Sequence, residues 1–536
     1  MKWTDPLLRG VGPGALAGLV GGLVFGLAMT QLGYLPTIAS LVRTDSPPVG
    51  FVVHLAIAAF IGGVFGALVA RQRLGAGEIL WWGLAYGAFW WFLGPLTLLP
   101  LLLGNTLAWD ASVAQAAFPS LVGHLWYGAS TALALVALRR GLGEGRQVDD
   151  SQERGDRFSV GAAVRGALAG LLAAWLLGVL LDAQGLVTLI APALFLTFPL
   201  GAWLLIWLVG LLGGISFALL YPHPAQGSGP MLVRGVGFGF VLWVAGSLTL
   251  FPLISGQGLL WSAQFARAVF AMLPGFLLFG AGLALFYCWL DGLVRQLFSD
   301  GVRVRDQDGG GTEALRALGR GALGGLVGGL VFTLLMLQVG FLGTVATLVG
   351  GVSLTSGLLV HLAISLLIGA SYGVLFHRHS FDNGSAIGWG VSYGLFWWVL
   401  GSLTLLPMLL GAPPRWTAEV AAALLPSLVG HLAYGAGLGV VFHYFEARHA
   451  PWWVPRTRLA ETRVANRREQ LLTSAPALWV LVVVIGLTLP VVLAGGAVEG
   501  DGYGYGDTGG GYGENGESGG GYGDTQSGGS DGYGEP

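Results

Sequence analysis

Uninterrupted apolar runs of about twenty residues follow one another along most of this chain. Such a run is long enough for an α-helix to cross the hydrocarbon core of a bilayer, which is roughly 30 Å thick. Only 10% of the 536 residues are charged, against about 25% in average soluble domains. We therefore predict an all-α, polytopic transmembrane helix bundle, with the lipid bilayer as its surroundings.

The chain also repeats itself. PSLVGHLWYG begins at Pro119 and PSLVGHLAYG begins at Pro426. At the same spacing, GALAGLVGGLVF at Gly14 returns as GALGGLVGGLVF at Gly321, and the alignment runs without gaps for about 125 residues. An internal repeat of this length implies that one structural unit is used more than once.

A degenerate third copy lies between these two. GSLTLFP at Gly246 matches GPLTLLP at Gly94 and GSLTLLP at Gly401. Each copy holds four apolar runs, and one further run follows the last copy, which predicts thirteen helices. The runs are 11–33, 50–70, 79–103, 118–139, 162–182, 198–220, 231–254, 268–290, 318–340, 356–376, 386–411, 421–443 and 475–498.

These runs divide the chain into six parts. The predicted parts are repeat 1 (1–147), the degenerate repeat 2 (148–306), repeat 3 (307–450), a basic interfacial segment (451–474), a C-terminal transmembrane helix (475–498) and a disordered external tail (499–536). The tail is rich in Gly, Tyr and acidic residues and has too few apolar residues to order itself. It is either an adhesive or cation-attracting brush or a solubilising tail, and its partner is unknown.

The helix count and the basic residues predict the topology. Four helices per repeat give all three repeats one orientation, so the repeats are parallel rather than inverted. With a cytoplasmic N-terminus, all but three of the 26 Lys and Arg residues lie on the cytoplasmic side, as the positive-inside rule requires. The exceptions are Arg43, Arg267 and Arg415. We expect a multi-pass protein of the plasma (inner) membrane with an extracytoplasmic C-terminal tail.

Two small-residue patterns predict how the helices pack. Gly14, Gly18, Gly22 and Gly26 share one face of the first helix, a glycine zipper that favours close packing within the chain or in a homo-oligomer. In the third helix of every repeat, a proline follows a threonine by three residues, as in Thr97. The proline kinks the helix, and the threonine hydroxyl can satisfy the loosened backbone. The kink either shapes a cavity or only fits the bundle together.

Repeats 1 and 3 each carry a predicted polar layer near the outer end of the membrane. It contains one Gln, two His and one Thr, each from a different helix; its members are Gln31, His54, Thr97, His124, Gln338, His361, Thr404 and His431. Small residues share the histidine faces, so the imidazoles point into protein. In repeat 2, Leu205 stands in place of the first histidine and an apolar residue in place of the second.

Three uses of the histidines remain open. They can ligate haem iron, copper or zinc, relay protons, or only bond neighbouring helices together. The candidate metal ligands are His54, His124, His361 and His431. The sequence leaves the cofactor undetermined between none, haem and a transition metal.

One repeat resembles a known family. A helix with a histidine, then a third helix, then PSLVGHLWYG ending at Arg139 and Arg140, resembles YagU-like proteins, small bacterial inner-membrane proteins associated with acid tolerance. The resemblance implies a membrane location and a link to proton stress, and it supplies no catalytic residues.

The leading functional hypothesis is a transporter- or channel-like passage of a small solute or protons through the polar layer. The alternatives are a haem- or metal-binding redox component that uses the same histidines, and a structural scaffold that presents the acidic tail. The sequence leaves open whether the protein is an enzyme and disfavours enzymatic hydrolysis, because no nucleophile with a base, phosphate loop or paired carboxylates is present. We expect no nucleic-acid partner.

Overall fold

The regular elements of the described residues are all helices. The structure is a computed structural model that describes residues 6–70, 75–107, 109–141, 160–188, 200–222, 227–298, 310–377, 382–448 and 491. Twelve of its helices are long and apolar enough to cross a membrane. The chain is therefore a multi-pass membrane protein, and the predicted all-α polytopic bundle is confirmed.

The twelve long helices, α1 to α12 in chain order, are Pro6–Leu32, Pro47–Leu68, Ala76–Leu102, Phe118–Gly141, Val160–Ala183, Leu200–Leu220, Ser228–Ile254, Leu273–Phe298, Gly310–Val339, Leu354–Phe376, Asn383–Leu409 and Leu425–Ala447. Repeats 1, 2 and 3 hold α1–α4, α5–α8 and α9–α12. We call the end at which α1 begins the inner end, and the opposite end the outer end. The predicted thirteenth helix, interfacial segment and tail lie outside the described residues, apart from Val491.

The helix bounds lie within about five residues of those predicted, except at the end of α8, which extends eight residues past 290, and at the start of α9. This helix begins at Gly310, eight residues before the predicted run. Arg316 of the added turns lies 4.0 Å from the carboxylate of Glu446 in α12, and Arg320, just inside the predicted run, lies 2.5 Å from it. The extension is polar and ion-paired, so a search for apolar runs does not include it.

Within each repeat, the first helix packs against the second and the fourth, and the fourth packs against the third. The α1 glycine stripe faces α2: a Cβ at Gly18 would overlap the carbonyl oxygen of Ala58, and one at Gly62 would overlap Gly18 itself. The contact between α9 and α10 has the same form, with Gly325 against Gly369. Bare backbones therefore bring the first two helices of these repeats into direct contact.

The third and fourth helices also meet through glycines. A Cβ at Gly83 would overlap the carbonyl oxygen of Gly128, and one at Gly87 would overlap the carbonyl oxygen of His124. Gly235 meets Gly280 in the same way in repeat 2. This contact fixes the depth of the fourth helix, and with it the depth of the second histidine.

Each third helix widens into a π-helical turn at the predicted kink. The wide turns are Gly94–Leu98, Gly246–Leu250 and Trp398–Leu405. In each, a threonine hydroxyl donates to the carbonyl oxygen five residues earlier, at 2.8 Å in all three. π-Turns inside α-helices often mark functional regions, and here the following proline accounts for the local loss of regular bonding.

The connection after each wide turn folds back on it. Proline cannot donate to the carbonyl four residues earlier, which is that of Leu96 in α3 and Leu403 in α11. The indole Nε1 of Trp109 donates to the first carbonyl at 3.2 Å, and the backbone N–H of Arg415 donates to the second at 2.8 Å. The freed acceptors of α3 and α11 are thus satisfied from the outer loop.

A buried ion pair joins repeats 1 and 2 at the inner end. Glu78 of α3 lies 2.7 Å from Arg234 of α7, and both side chains are largely buried. The Trp81 indole donates to the hydroxyl of Tyr221 at 2.6 Å, and the Arg234 guanidinium lies 5.3 Å from the Tyr221 ring. A Cβ at Gly77 would overlap that ring. These contacts hold the two third helices together.

An ion pair and a hydrogen bond join repeats 2 and 3 at the outer end. Arg267, in the loop after α7, lies 2.7 Å from Glu419 in the loop after α11, and the amide of Gln184 donates to the carbonyl oxygen of Pro414. Hydrogen bonds from its own backbone N–H and from the Thr417 hydroxyl, with the Arg267 charge, lower the pKa of Glu419.

Repeat 2 lies between the other two. Its helix α7 is buried without interruption from Gly229 to Phe240. It contacts α10 and α11 of repeat 3, while α3 of repeat 1 contacts α6. The third helix of one repeat thus meets the second helix of the next at both junctions, so repeat 2 is the common support for repeats 1 and 3.

Candidate functional site

The first imidazole of repeat 1 lies between α1 and α2. His54 is buried, and its Nε2 lies 3.0 Å from the carbonyl oxygen of Gly22 in α1. Phe25, three residues further along α1, packs edge-to-face against the same imidazole, with 5.5 Å between ring centres. Because Gly22 has no side chain, the imidazole reaches the backbone of the neighbouring helix.

The second imidazole contacts the same phenyl ring. His124 of α4 is half-buried, and its Nδ1 lies 2.8 Å from the carbonyl oxygen of Ser120, one turn earlier in its own helix. Its ring centre is 5.0 Å from that of Phe25. We call Phe25, His54 and His124 together histidine site 1.

Repeat 3 builds the same arrangement. His361 Nε2 lies 3.1 Å from the carbonyl oxygen of Gly329, and His431 Nδ1 lies 2.8 Å from that of Ser427. The Phe332 ring centre is 5.3 Å from the first imidazole and 4.8 Å from the second. We call Phe332, His361 and His431 histidine site 3.

The backbone contacts fix the tautomer of each neutral imidazole. A carbonyl oxygen only accepts, so the contacting ring nitrogen carries the hydrogen. In histidine site 1, the lone pairs are therefore on Nδ1 of His54 and Nε2 of His124. Neither nitrogen has a hydrogen-bond partner among the described residues. Each site thus offers two different unused acceptors inside a membrane-spanning bundle.

The glycine before each second histidine makes room for the phenyl ring. A Cβ at Gly123 would overlap the ring of Phe25, and a Cβ at Gly430 would overlap that of Phe332. The glycine before the histidine in both decapeptides therefore has a steric origin. The two decapeptides differ only at Trp126, whose indole Nε1 donates to Thr249 of repeat 2 at 3.3 Å.

A tryptophan and a tyrosine of α3 approach the histidine-bearing helices. The hydroxyl of Tyr86 donates to the carbonyl oxygen of Ile61 in α2 at 2.9 Å. Trp90, one turn further out on the same face, has a buried indole N–H that lies beside the Tyr86 hydroxyl without a well-formed hydrogen bond. The Trp397 indole N–H is buried in the same way beside Tyr393.

The other members of the predicted polar layer lie elsewhere. Gln31 and Gln338 are exposed near the outer ends of α1 and α9. Thr97 and Thr404 give their hydroxyl hydrogens to carbonyls of their own helices. The structure thus brings the histidines of one repeat to a common phenyl ring and leaves the glutamines and threonines outside that contact.

The glycine contacts align repeat 2 with the others. Gly166 packs on the carbonyl oxygen of Gly214, as Gly14 packs on that of Gly62. Ile206 precedes Gly214 by eight residues, as His54 precedes Gly62, so the sequence-based assignment to Leu205 is one residue in error.

The second histidine position aligns in the same way. The carbonyl oxygen of Phe276 faces Gly239, as that of His124 faces Gly87. Phe276 is therefore the apolar residue in place of the second histidine.

Repeat 2 has apolar residues at the aligned positions of the histidine site, and it keeps the residues that build the third helix and its outer loop. The residues at the positions of Phe25, His54, Tyr86, Trp90, His124 and Tyr127 are Leu177, Ile206, Phe238, Leu242, Phe276 and Phe279. The wide turn, its threonine and proline, and the tryptophan twelve residues after the threonine all remain. The residues of the wide turn and outer loop therefore occur in this chain both with and without the residues of the histidine site.

The histidine positions provide few metal ligands. Within the described ranges, no group of three or more His, Cys, Asp or Glu side chains is placed to hold a metal ion. Each histidine site contributes two imidazoles, with the phenyl ring against both. A haem or metal role for His54, His124, His361 and His431 stays a prediction of the sequence.

Two tryptophan positions that recur in every repeat make contacts that were not predicted from the sequence. Trp91, Trp243 and Trp398 each donate to a carbonyl oxygen shortly before the fourth helix begins, at 3.0, 3.1 and 3.2 Å. The second tryptophan, twelve residues after the threonine, closes the outer loop. The recurrence of both in all three repeats, including the degenerate one, was a signal of a structural role.

Comparison with protein-family models, with curated proteins and with solved structures finds no match to the chain.

Proposed function

We propose that the protein passes a small solute or protons across the membrane, as a transporter or channel does, at histidine sites 1 and 3. The observation that carries the proposal is the duplicated pair of imidazoles with unused lone pairs beside one phenyl ring. Ionisable side chains inside membrane helices are rare and commonly mark pathways for substrates or protons. Simple helix packing accounts for the ring nitrogens that contact backbone carbonyls. It leaves the unbonded nitrogen of each imidazole unexplained.

Repeat 2 supports the proposal by contrast. It keeps the tryptophans, threonine and proline that hold the third helix, and it has apolar residues at every position of the histidine site. If the histidines served only to hold four helices together, repeat 2 would need them as well. A scaffold role for repeat 2 and a transport role for repeats 1 and 3 account for both patterns.

The topology belongs to the same proposal. The N-terminus is cytoplasmic, the histidine sites are nearer the outer face of the plasma membrane, and the tail is external. The resemblance of one repeat to YagU-like proteins is compatible with movement of protons under acid stress. A homo-oligomer is compatible with the exposed apolar helix faces.

The test is flux into liposomes that contain the purified protein. Proton entry is followed with an entrapped pH dye under a potassium and valinomycin potential, and solute entry by light scattering. The test variant copies repeat 2 into the other repeats: His54→Ile, His124→Phe, His361→Ile and His431→Phe. We expect the parent to pass protons or a solute and this variant to lose that flux.

The matched control changes the aligned positions of repeat 2, with Ile206→Leu and Phe276→Leu. It alters the same depth of the same kind of helix and should keep the parent flux. Full flux in the quadruple histidine variant, or none in the parent, would overturn the proposal.

A further inference from the structure

We infer that each histidine site takes a small, electrically neutral solute that donates hydrogen bonds, rather than an ion. The inference rests on the proposed function and adds the chemical class of the solute. It follows from the charges, the donors and acceptors, and the packing around the two sites.

The helices that surround the sites carry no charge at this depth. In repeat 1 the segments 10–32, 47–68, 79–102 and 118–138 contain no Asp, Glu, Lys or Arg. In repeat 3 the same holds for 321–339, 354–376, 383–409 and 425–442. An ion in such surroundings would lose its hydration without meeting an opposite charge, which is strongly unfavourable in an apolar interior.

The unused nitrogens determine what the solute must offer. Nδ1 of His54 and Nε2 of His124 are acceptors, so they bind a solute that carries O–H or N–H groups. Their bonded nitrogens are held by carbonyl oxygens at 3.0 and 2.8 Å. The tautomers are thus set by the fold before a solute arrives.

A polar group on α3 faces the same helices. Tyr86 bonds to Ile61, which lies two turns from His54 on the same face of α2. Trp90 follows Tyr86 by one turn toward the outer end, and one residue after Tyr86 the backbone of α3 packs against α4. The buried indole N–H of Trp90 can therefore donate to an oxygen atom of the solute. Its counterpart in repeat 3 is Trp397.

The packing keeps the solute small. Gly123 and Gly430 have no room for a methyl group beside the phenyl rings. The first and second helices touch through bare backbones, as do the third and fourth. Hydroxyl- or amide-bearing molecules with only a few heavy atoms fit this description, and glycerol and urea serve as probes.

The experiment measures neutral and ionic flux on the same proteoliposomes. Stopped-flow light scattering follows the entry of glycerol and of urea, and the entrapped dye follows protons under an imposed potential. We expect at least one neutral probe to enter faster than into protein-free liposomes, without proton flux above the protein-free background. The quadruple histidine variant should remove this entry.

A second variant leaves the histidines in place and removes only the proposed tryptophan donors to the solute. Trp90→Phe with Trp397→Phe keeps two aromatic rings and removes two N–H donors. Loss of one donor to a bound solute should slow entry about threefold to tenfold. The control is Trp175→Phe in α5, where the indole is 57% exposed on the surface of the bundle, and it should leave entry unchanged. Elution volume and thermal midpoint confirm that each variant is folded.

The outcomes separate the two proposals. Proton flux that the quadruple variant abolishes, without glycerol or urea entry above background, would overturn the inference and leave the proposed function standing. Neutral entry that is insensitive to both the histidine and the tryptophan variants would overturn the inference and remove the histidines from the pathway. No flux of any probe would overturn both.

Discussion

At the scale of single residues, glycine decides where aromatic side chains can lie. Gly123 and Gly430 face the phenyl rings that contact both imidazoles of each site. The residue aligned with Gly123 in repeat 2 is Gly275, and the side chain opposite it is the smaller Leu177. The phenyl ring and the glycine thus belong together as one steric pair.

We expect Gly123→Ala to destabilise the protein by overpacking, by about 1–3 kcal/mol, with a lower thermal midpoint in detergent. Adding Phe25→Leu, which copies repeat 2, should recover most of the loss because the smaller side chain makes room for the methyl group. Gly12→Ala is the control: a Cβ there meets no atom within 4 Å. An unchanged midpoint in Gly123→Ala would show that the ring is free to move away.

At the scale of helices and turns, the wide turn of each third helix is bonded differently in different repeats. Thr404 of α11 is buried, donates to Val399 and accepts the indole N–H of Trp416 at 3.0 Å. Thr97 of α3 is half-buried and makes only the first kind of bond, because Trp109 donates to the carbonyl of Leu96 instead.

The two threonines therefore respond differently to one substitution. Thr404→Val leaves a buried indole N–H without its acceptor, at a cost of about 1–3 kcal/mol. Thr97→Val removes a single, less buried bond and should lower the thermal midpoint less. Equal shifts in the two variants would mean that the tryptophan bond to Thr404 contributes nothing to stability.

The elements were largely predictable from the sequence, because a run of apolar residues determines a membrane helix almost by itself. The histidine faces were also predictable, since small residues at spacing four mark the packed side of a helix. The phenyl ring that both imidazoles contact was not predicted, because Phe25 is one apolar residue among many on α1. The polar layer joined Gln, Thr and His by depth alone, and depth does not specify direction around a helix.

At the scale of the whole molecule, repeat 2 is held on one side by a buried ion pair and on the other by an exposed one. Glu78 and Arg234 are largely shielded at the inner end. The Glu419 side chain at the outer end is 65% exposed. Removing one member of a shielded pair leaves an uncompensated charge, whereas exposed pairs contribute little.

We expect Glu78→Ala to lower the thermal midpoint strongly, by the equivalent of about 3 kcal/mol. The charge exchange Glu78→Arg with Arg234→Glu should recover part of the lost thermal midpoint, because opposite charges again face each other. The control Glu419→Ala should cost less than about 1 kcal/mol. A larger effect at Glu419 than at Glu78 would contradict the larger contribution expected from the shielded ion pair.

The stabilising contribution of the outer ion pair, Arg267 with Glu419, should also depend on pH. The lowered pKa of Glu419 means that its stabilising contribution is complete above the usual carboxyl pKa of about 4.3 and is lost as the pH falls through the folded-state value. The difference in thermal midpoint between the parent and Glu419→Ala should therefore shrink when the pH is lowered from about 7 to about 3. A difference that grows on acidification would contradict this sign.

The most direct measurement of the central claim is the flux of variants that lose one histidine site at a time. His54→Ile with His124→Phe removes histidine site 1, and His361→Ile with His431→Phe removes histidine site 3. Two independent sites predict that each variant keeps about half of the parent flux of the transported probe and that the quadruple variant keeps none. Parent-level flux in the quadruple variant, with its fold intact, would show that the paired histidines take no part in transport.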